Sequence, residues 1–156
     1  MRKALRKDVI MNRLKMKKVR DSAVIPQRAT PGSAGLDLCA CIEEPIELLP
    51  RKLASIPTGI AIELPDEGSA ALVFARSGLG VKHGISLSNG VGVIDSDYRG
   101  EIKVGLCNLS DTPYTIMPGE RIAQLVIIPV LTPVPEEADT LSDTSRGSGG
   151  FGSTGR

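Results

Sequence analysis

In GVIDSDYRGE (92–101) the apolar pair Val93–Ile94 runs into two carboxylates, Asp95 and Asp97. Tyr98 follows, one of four aromatic side chains in the chain. Taken alone, an acid pair of this kind fits a solvated strand end. ARSGLG (75–80) sets Arg76 and Ser77 where a strand hands over to a short helix. Amides at a helix start attract anions, and Arg and Ser add donors suited to phosphate; a surface turn accounts for the same residues. SNGVG (88–92) puts Asn89, Gly90 and Gly92 beside a strand, where glycine lets a backbone approach a ligand or another strand. An ordinary hairpin or bulge is the alternative there. GERIAQL (119–125) carries Arg121 and Gln124 in an apolar context, which also reads as edge polarity. His83 is the single histidine, so no histidine-based metal cluster and no Ser-His-Asp triad is available.

The elements that must position these residues are short and β-like. In GLDLCACI, Leu36, Leu38, Ala40 and Ile42 alternate with Asp37, Cys39 and Cys41, a period of two. GIAIEL (59–64), AALVFA (70–75), GISLS (84–88), EIKVGL (101–106) and AQLVIIPV (123–130) read as further strands. ATPGSAG, LPDEGS, LSDTP and MPGE separate them as turns. SGLGVKHG (77–84) is the one expected helix, weakened by Gly78 and Gly80. The pattern predicts an all-β sandwich or barrel.

The 156 residues suffice for one domain, and 41% hydrophobic content can supply a core. With 17 Gly, 11 Pro and no Trp, that core is thinly aromatic, and partner subunits would add buried area. The charge is uneven. Residues 1–20 hold nine bases and one acid, a net of +8, whereas the rest holds ten bases and seventeen acids, a net of −7. An acidic body argues against a broad nucleic-acid surface. The basic head is expected to be a solvated extension, with contact to nucleic acid or membrane as the alternative. No apolar run reaches the roughly 20 residues of a membrane span. The three cysteines, Cys39, Cys41 and Cys107, lack metal-site spacing and read as reduced thiols of a cytoplasmic protein. RGSGGFGSTGR (146–156) cannot build a core. It reads as a tail, or as a lid whose Phe151 stacks on a flat ligand while glycine amides face an anion.

Five segments occur in order: SAGLDL (33–38), ARSGLG (75–80), NGVGVIDSDYRGE (89–101), GERIAQL (119–125) and RGSGGFGSTG (146–155). Together they resemble the five motifs of the trimeric dUTP diphosphatases, and the resemblance covers residues from about 17 to 156. One departure is Ala75, where many members carry proline. The resemblance implies a jelly-roll-like β-barrel with one short helix, assembled as a homotrimer that exchanges its C-terminal segment. It divides the chain into a basic extension (1–16, expected to be disordered), a barrel domain (17–145) and a flexible glycine-rich lid (146–156).

The same resemblance implies roles. Asp95 matches the general base that holds a water in line with the α-phosphorus of dUTP, and Gln124 helps to aim that water. Arg76, Ser77 and the Gly78 amide match the grip on the triphosphate. The backbone around Asn89, Gly90 and Val93 matches the uracil-reading hairpin, assisted by the Asn89 side chain. Tyr98 matches the ring that packs under the deoxyribose and leaves no room for a 2′-hydroxyl. Arg146, Phe151, Gly152, Ser153 and Thr154 match the closing lid. Mg²⁺ is the implied cofactor, carried mainly on substrate phosphates, with Asp37 reaching it through water. Neither a stable nucleic-acid partner nor a membrane is implied. The related dCTP deaminases need a glutamate ten positions after the aspartate; here Gly105 stands there. A non-catalytic nucleotide-binding regulator is the other alternative.

Overall fold

A computed structural model describes residues 13–150. Among them eleven strands and one short helix follow in chain order. These are β1 (Lys15–Lys18), β2 (Leu36–Cys39), β3 (Ile46–Leu48), β4 (Leu53–Pro57), β5 (Ile60–Glu63) and β6 (Ser69–Ala75). After α1 (Ser77–His83) come β7 (Ile85–Leu87), β8 (Gly92–Ile94), β9 (Lys103–Asn108), β10 (Tyr114–Ile116) and β11 (Arg121–Pro129). All ladders are antiparallel. They form a four-stranded sheet β2-β11-β6-β8, a three-stranded sheet β4-β9-β7, and the pairs β1-β5 and β3-β10.

The expected all-β class with one helix is observed, but no closed barrel forms among the described residues. Backbone pairing stops between the four sheets, as expected where strands of three to five residues end at prolines and turns. Pro45, Pro50, Pro57, Pro65, Pro113 and Pro118 each border such a break. The expected boundary after residue 16 falls inside β1, where Lys15 and Met16 already pair with Glu63 and Ile62.

Strand alternation explains the core. In β9, Val104, Leu106 and Asn108 point inward while Lys103, Gly105 and Cys107 lie nearer the surface. Leu38, Leu48, Ile56, Ile60, Ile85, Leu106, Ile116, Ile122 and Leu125 are fully buried, and among the described residues no aromatic side chain is fully buried with them. At about 1.5–3 kcal/mol for each large aliphatic group, this cluster is the main driving force for folding. Buried Asn108 is tolerated because its Nδ2 donates to the carbonyls of Leu48 and Thr112, while its Oδ1 accepts from Ser110. The alternation read from GLDLCACI breaks after Cys39: Ala40 and Cys41 are both buried. The Cys41 amide bonds to Pro57, and its sulfur lies 3.2 Å from Ser22 Oγ. No helix among the described residues is long and apolar enough to cross a membrane.

Candidate active site

The centre of the four-stranded sheet builds one half of the site. β11 pairs β2 on one side and β6 on the other, and Gln124 stands opposite Asp37 and Phe74. Directly paired residues share a face of a sheet. Arg76, two residues beyond Phe74, falls on that face as well. Arg121 and Gln124 are three residues apart and would face opposite ways in a regular strand. The register shifts by one residue between Arg121 and Ala123, so Arg121 pairs with Cys39 and joins the Asp37 face.

The polar groups meet there. Arg76 Nε lies 3.2 Å from Asp37 Oδ1, and Arg121 Nη1 lies 3.1 Å from Asp37 Oδ2. Arg76 Nη1 also donates to the Arg121 carbonyl at 3.0 Å, and Gln124 Nε2 donates to the Ala75 carbonyl at 3.1 Å. Gly35 is required by this packing, because a Cβ there would sit 2.7 Å from Gln124 Oε1. A cavity of about 290 Å³ opens over the cluster, walled by Ser33, Gly35, Asp37, Arg76, Ser77, Gly78 and Gln124 among others. Arg76 is the N-cap of α1, in an extended conformation, and its side chain makes no capping bond to the helix. The first amides of any helix have no intrahelical acceptor. Those of Ser77 and Gly78 therefore stand at the cavity wall beside a guanidinium, an arrangement that suits a phosphate chain.

The other half surrounds β8. Val73, Asn89, Gly92, Val93, Asp95, Tyr98, Glu101 and Lys103 are among the walls of a second cavity, of about 230 Å³. Gly90 takes φ +75° in the turn between β7 and β8, and the Val91 amide reaches back to the Asn89 carbonyl at 2.9 Å. The Tyr98 amide closes a turn on the Asp95 carbonyl at 3.2 Å, placing acid and ring on one short loop. Asp95 is exposed, and its side chain makes no hydrogen bond or ion pair among the described residues. Tyr98 is 46% exposed. This half combines apolar walls at Val73, Val93 and Ile94 with polar groups at Asn89, Asp95 and Lys103.

Among the described residues the two cavities share no wall residue. Ile94 pairs with Ala71, five residues from Arg76, or about 16 Å along β6. One chain therefore brings Asp37, Arg76, Ser77, Gly78 and Gln124 together, and separately Asn89, Gly90, Val93, Asp95 and Tyr98. Arg146 joins neither group: its Nε bonds the Gly149 carbonyl at 2.7 Å within its own exposed turn. Phe151, Gly152, Ser153 and Thr154 lie outside the described residues, as do residues 1–12. His83 packs its ring 4.9 Å from that of Tyr114. Arg121 gained its place through the bulge, a feature that the motif GERIAQL alone did not signal. Burial raises the Cys39 thiol pKa, and neighbouring Asp37 adds to the shift.

Among the described residues no three His, Cys, Asp or Glu side chains cluster as metal ligands. The donor set suits an ion that rests on phosphate oxygens and water, with one carboxylate, Asp37, at the cavity wall.

The dUTPase family model matches residues 21–155. The deoxyuridine 5'-triphosphate nucleotidohydrolase of Desulfitobacterium hafniense is 54% identical over 131 residues, 84% of this chain and 87% of the relative. The enzyme of that name from Hahella chejuensis is 51% identical over 149 residues, 96% of this chain and 98% of the relative. Among solved structures, the Staphylococcus bacteriophage 80alpha dUTPase with dUPNHPP superposes with a TM-score of 0.85. It is 30% identical and covers 94% of this chain and 100% of its own. A variant dUTPase from phage phi11 of S. aureus, whose structure details the coordination of a structural Mg(II) ion, has a TM-score of 0.76. It is 25% identical and covers 85% of this chain and 100% of its own.

Proposed function

The chain belongs to the dUTPase family, and on that premise we propose that it hydrolyses dUTP to dUMP and pyrophosphate by water attack on the α-phosphate. The observation that carries this reading is the cavity that gathers Arg76, Ser77, Gly78 and Gln124 under the start of α1. Phosphoanhydride hydrolysis needs alignment and charge neutralisation more than covalent help. Arg76, Ser77 and the Gly78 amide hold the triphosphate. Gln124, fixed through its Nε2 to Ala75, lines the cavity and orients water there. A phosphate oxygen competes for Arg76 Nε, which in the free protein is held by Asp37.

Asp95 takes the proton of the attacking water. Its exposed carboxylate, without a bonded partner among the described residues, is free to do so. Uracil sits against the Asn89–Val93 backbone, where a cytosine amino group would leave buried donors unpaired at about 1–3 kcal/mol each. The Tyr98 ring packs under deoxyribose and excludes a 2′-hydroxyl. Arg146, Phe151, Gly152, Ser153 and Thr154 close over base and γ-phosphate. Bound Mg²⁺ would neutralise phosphate charge, with Asp37 holding its water shell.

The division of the chain's residues between two separate cavities supports a homotrimer in which Asp95 and Tyr98 of one subunit complete the phosphate cavity of another. We assign residues 15–145 to a jelly-roll-like β domain that begins with β1, and 146–156 to an exchanged lid. The free Cys39, Cys41 and Cys107 fit a reducing, cytoplasmic setting. Deaminase chemistry is disfavoured at Gly105, where even a Cβ would run into Ser88 Oγ.

Product analysis tests this reading: dUTP, dTTP, dCTP and UTP are each incubated with the protein and Mg²⁺. Selective formation of dUMP and pyrophosphate is expected. Ammonia released from dCTP, or dUTP bound without turnover, would overturn it.

A further inference from the structure

Tyr98 is held from behind. Its hydroxyl donates to the Glu101 carbonyl at 3.0 Å, and the ring folds over Gly100, where a Cβ would lie 2.6 Å from Cζ. Glu101 is itself anchored. Its Oε1 accepts from Arg20 Nε at 2.6 Å and from the Gly59 amide at 2.9 Å, while Oε2 accepts from Arg20 Nη2 at 3.2 Å. Gly59 takes φ +67°, and a Cβ there would meet Ala23 Cβ at 2.6 Å, so only glycine can present that amide. On either side of this knot, the Val19 amide bonds Gly59 and the Ile102 amide bonds Ile60, both at 2.8 Å. The Glu101 carboxylate is 14% exposed, and the Arg20 hydrogen bond holds it below the usual carboxylate range.

A bidentate guanidinium–carboxylate pair is directional, so it fixes the carbonyl that fixes the ring. Arg20 comes from the basic N-terminal stretch, two residues beyond β1. We propose that Arg20 and Glu101 are positioning residues for Tyr98 and thereby set the preference for deoxyribonucleotide over ribonucleotide. The proposal rests on Tyr98 being the sugar selector.

The test compares kcat/KM for dUTP and for UTP in the wild type and in Arg20→Met, Glu101→Gln, their double variant and Tyr98→Ala. Arg20→Met and Glu101→Gln are each expected to shrink the dUTP:UTP ratio by about tenfold. The double variant should shrink it no further than one single variant, because the two residues act as a unit. A collapsed ratio in Tyr98→Ala beside unchanged ratios in both pair variants would overturn the proposal. An unchanged ratio in Tyr98→Ala would remove the selector reading itself. A second readout then decides the positioning claim alone. With Tyr114→Phe, Tyr98 is the single tyrosine in a chain without tryptophan. Its emission anisotropy should fall on adding Arg20→Met. Unchanged anisotropy overturns the positioning claim, even where Glu101→Gln fails to fold.

Discussion

Gln124 stands opposite Asp37 across the β2–β11 ladder. The Asp37 carboxylate holds the guanidinium groups of both Arg76 and Arg121, and the Gln124 amide is tied to Ala75. Three sequence segments far apart in the chain thus converge on one sheet face. The cluster is preorganised before any anion arrives, because every charged member already has a partner. A triphosphate has only to exchange one of them.

Replacing Asp95 by Asn should lower kcat by roughly 10²–10⁴-fold with little change in binding. Steady-state kinetics, with affinity for a non-hydrolysable dUTP analogue measured in parallel, checks this. An unchanged kcat removes Asp95 from the chemistry.

Gly35→Ala should act through Gln124. The new methyl carbon would lie 2.7 Å from Oε1 and 3.1 Å from Cβ of that side chain. Moving Gln124 breaks its bond to Ala75. The expected result is a stability loss of about 1–3 kcal/mol in chemical denaturation together with a clear fall in kcat. Wild-type stability and turnover would show that the contact relaxes without cost.

Much of this arrangement was legible in the residues. The long apolar run of β11, the switch from strand to helix at Arg76 and the turn signals around Gly119 all stand where the pattern placed them. The short strands β1, β3, β4 and β10 were not anticipated. KMKK, IEL and YTI are too short or too charged to show a period, and pairing with partners distant in sequence makes them strands. The face of Arg121 was equally hidden, since a one-residue bulge reverses what alternation predicts. Asp95 and Arg76 looked like parts of one site, yet the fold of a single chain keeps them apart.

Deleting residues 146–156 should leave the thermal unfolding midpoint of the body nearly unchanged, since no strand extends past Pro129 among the described residues. Turnover of dUTP should fall by roughly 10²-fold or more, as expected for loss of a closing lid. Full activity in the truncated protein would return the segment to the status of a tail.

Tyr114 gives a pH dependence at the alkaline end. Burial first, and then its hydrogen bond to Glu120, push its hydroxyl up to about 12 from the ordinary 10.0. The folded state therefore binds this proton more tightly than the unfolded chain. The resulting stability is complete below pH 10 and is lost as pH rises toward 12. Denaturation midpoints measured across that window should decline less steeply in Tyr114→Phe. Equal slopes would remove Tyr114 from the alkaline transition.

The lack of a common wall between the two cavities among the described residues has a consequence for mixtures. An Asp95→Asn chain and an Arg76→Ala chain are each expected to be inactive, but each carries the half-site that the other has lost. Unfolded together and refolded at equal concentration, they should recover about one quarter of native turnover, because random association gives each composite site two intact halves with that frequency. Silence from the blend would mean that a catalytic unit is made within one polypeptide after all.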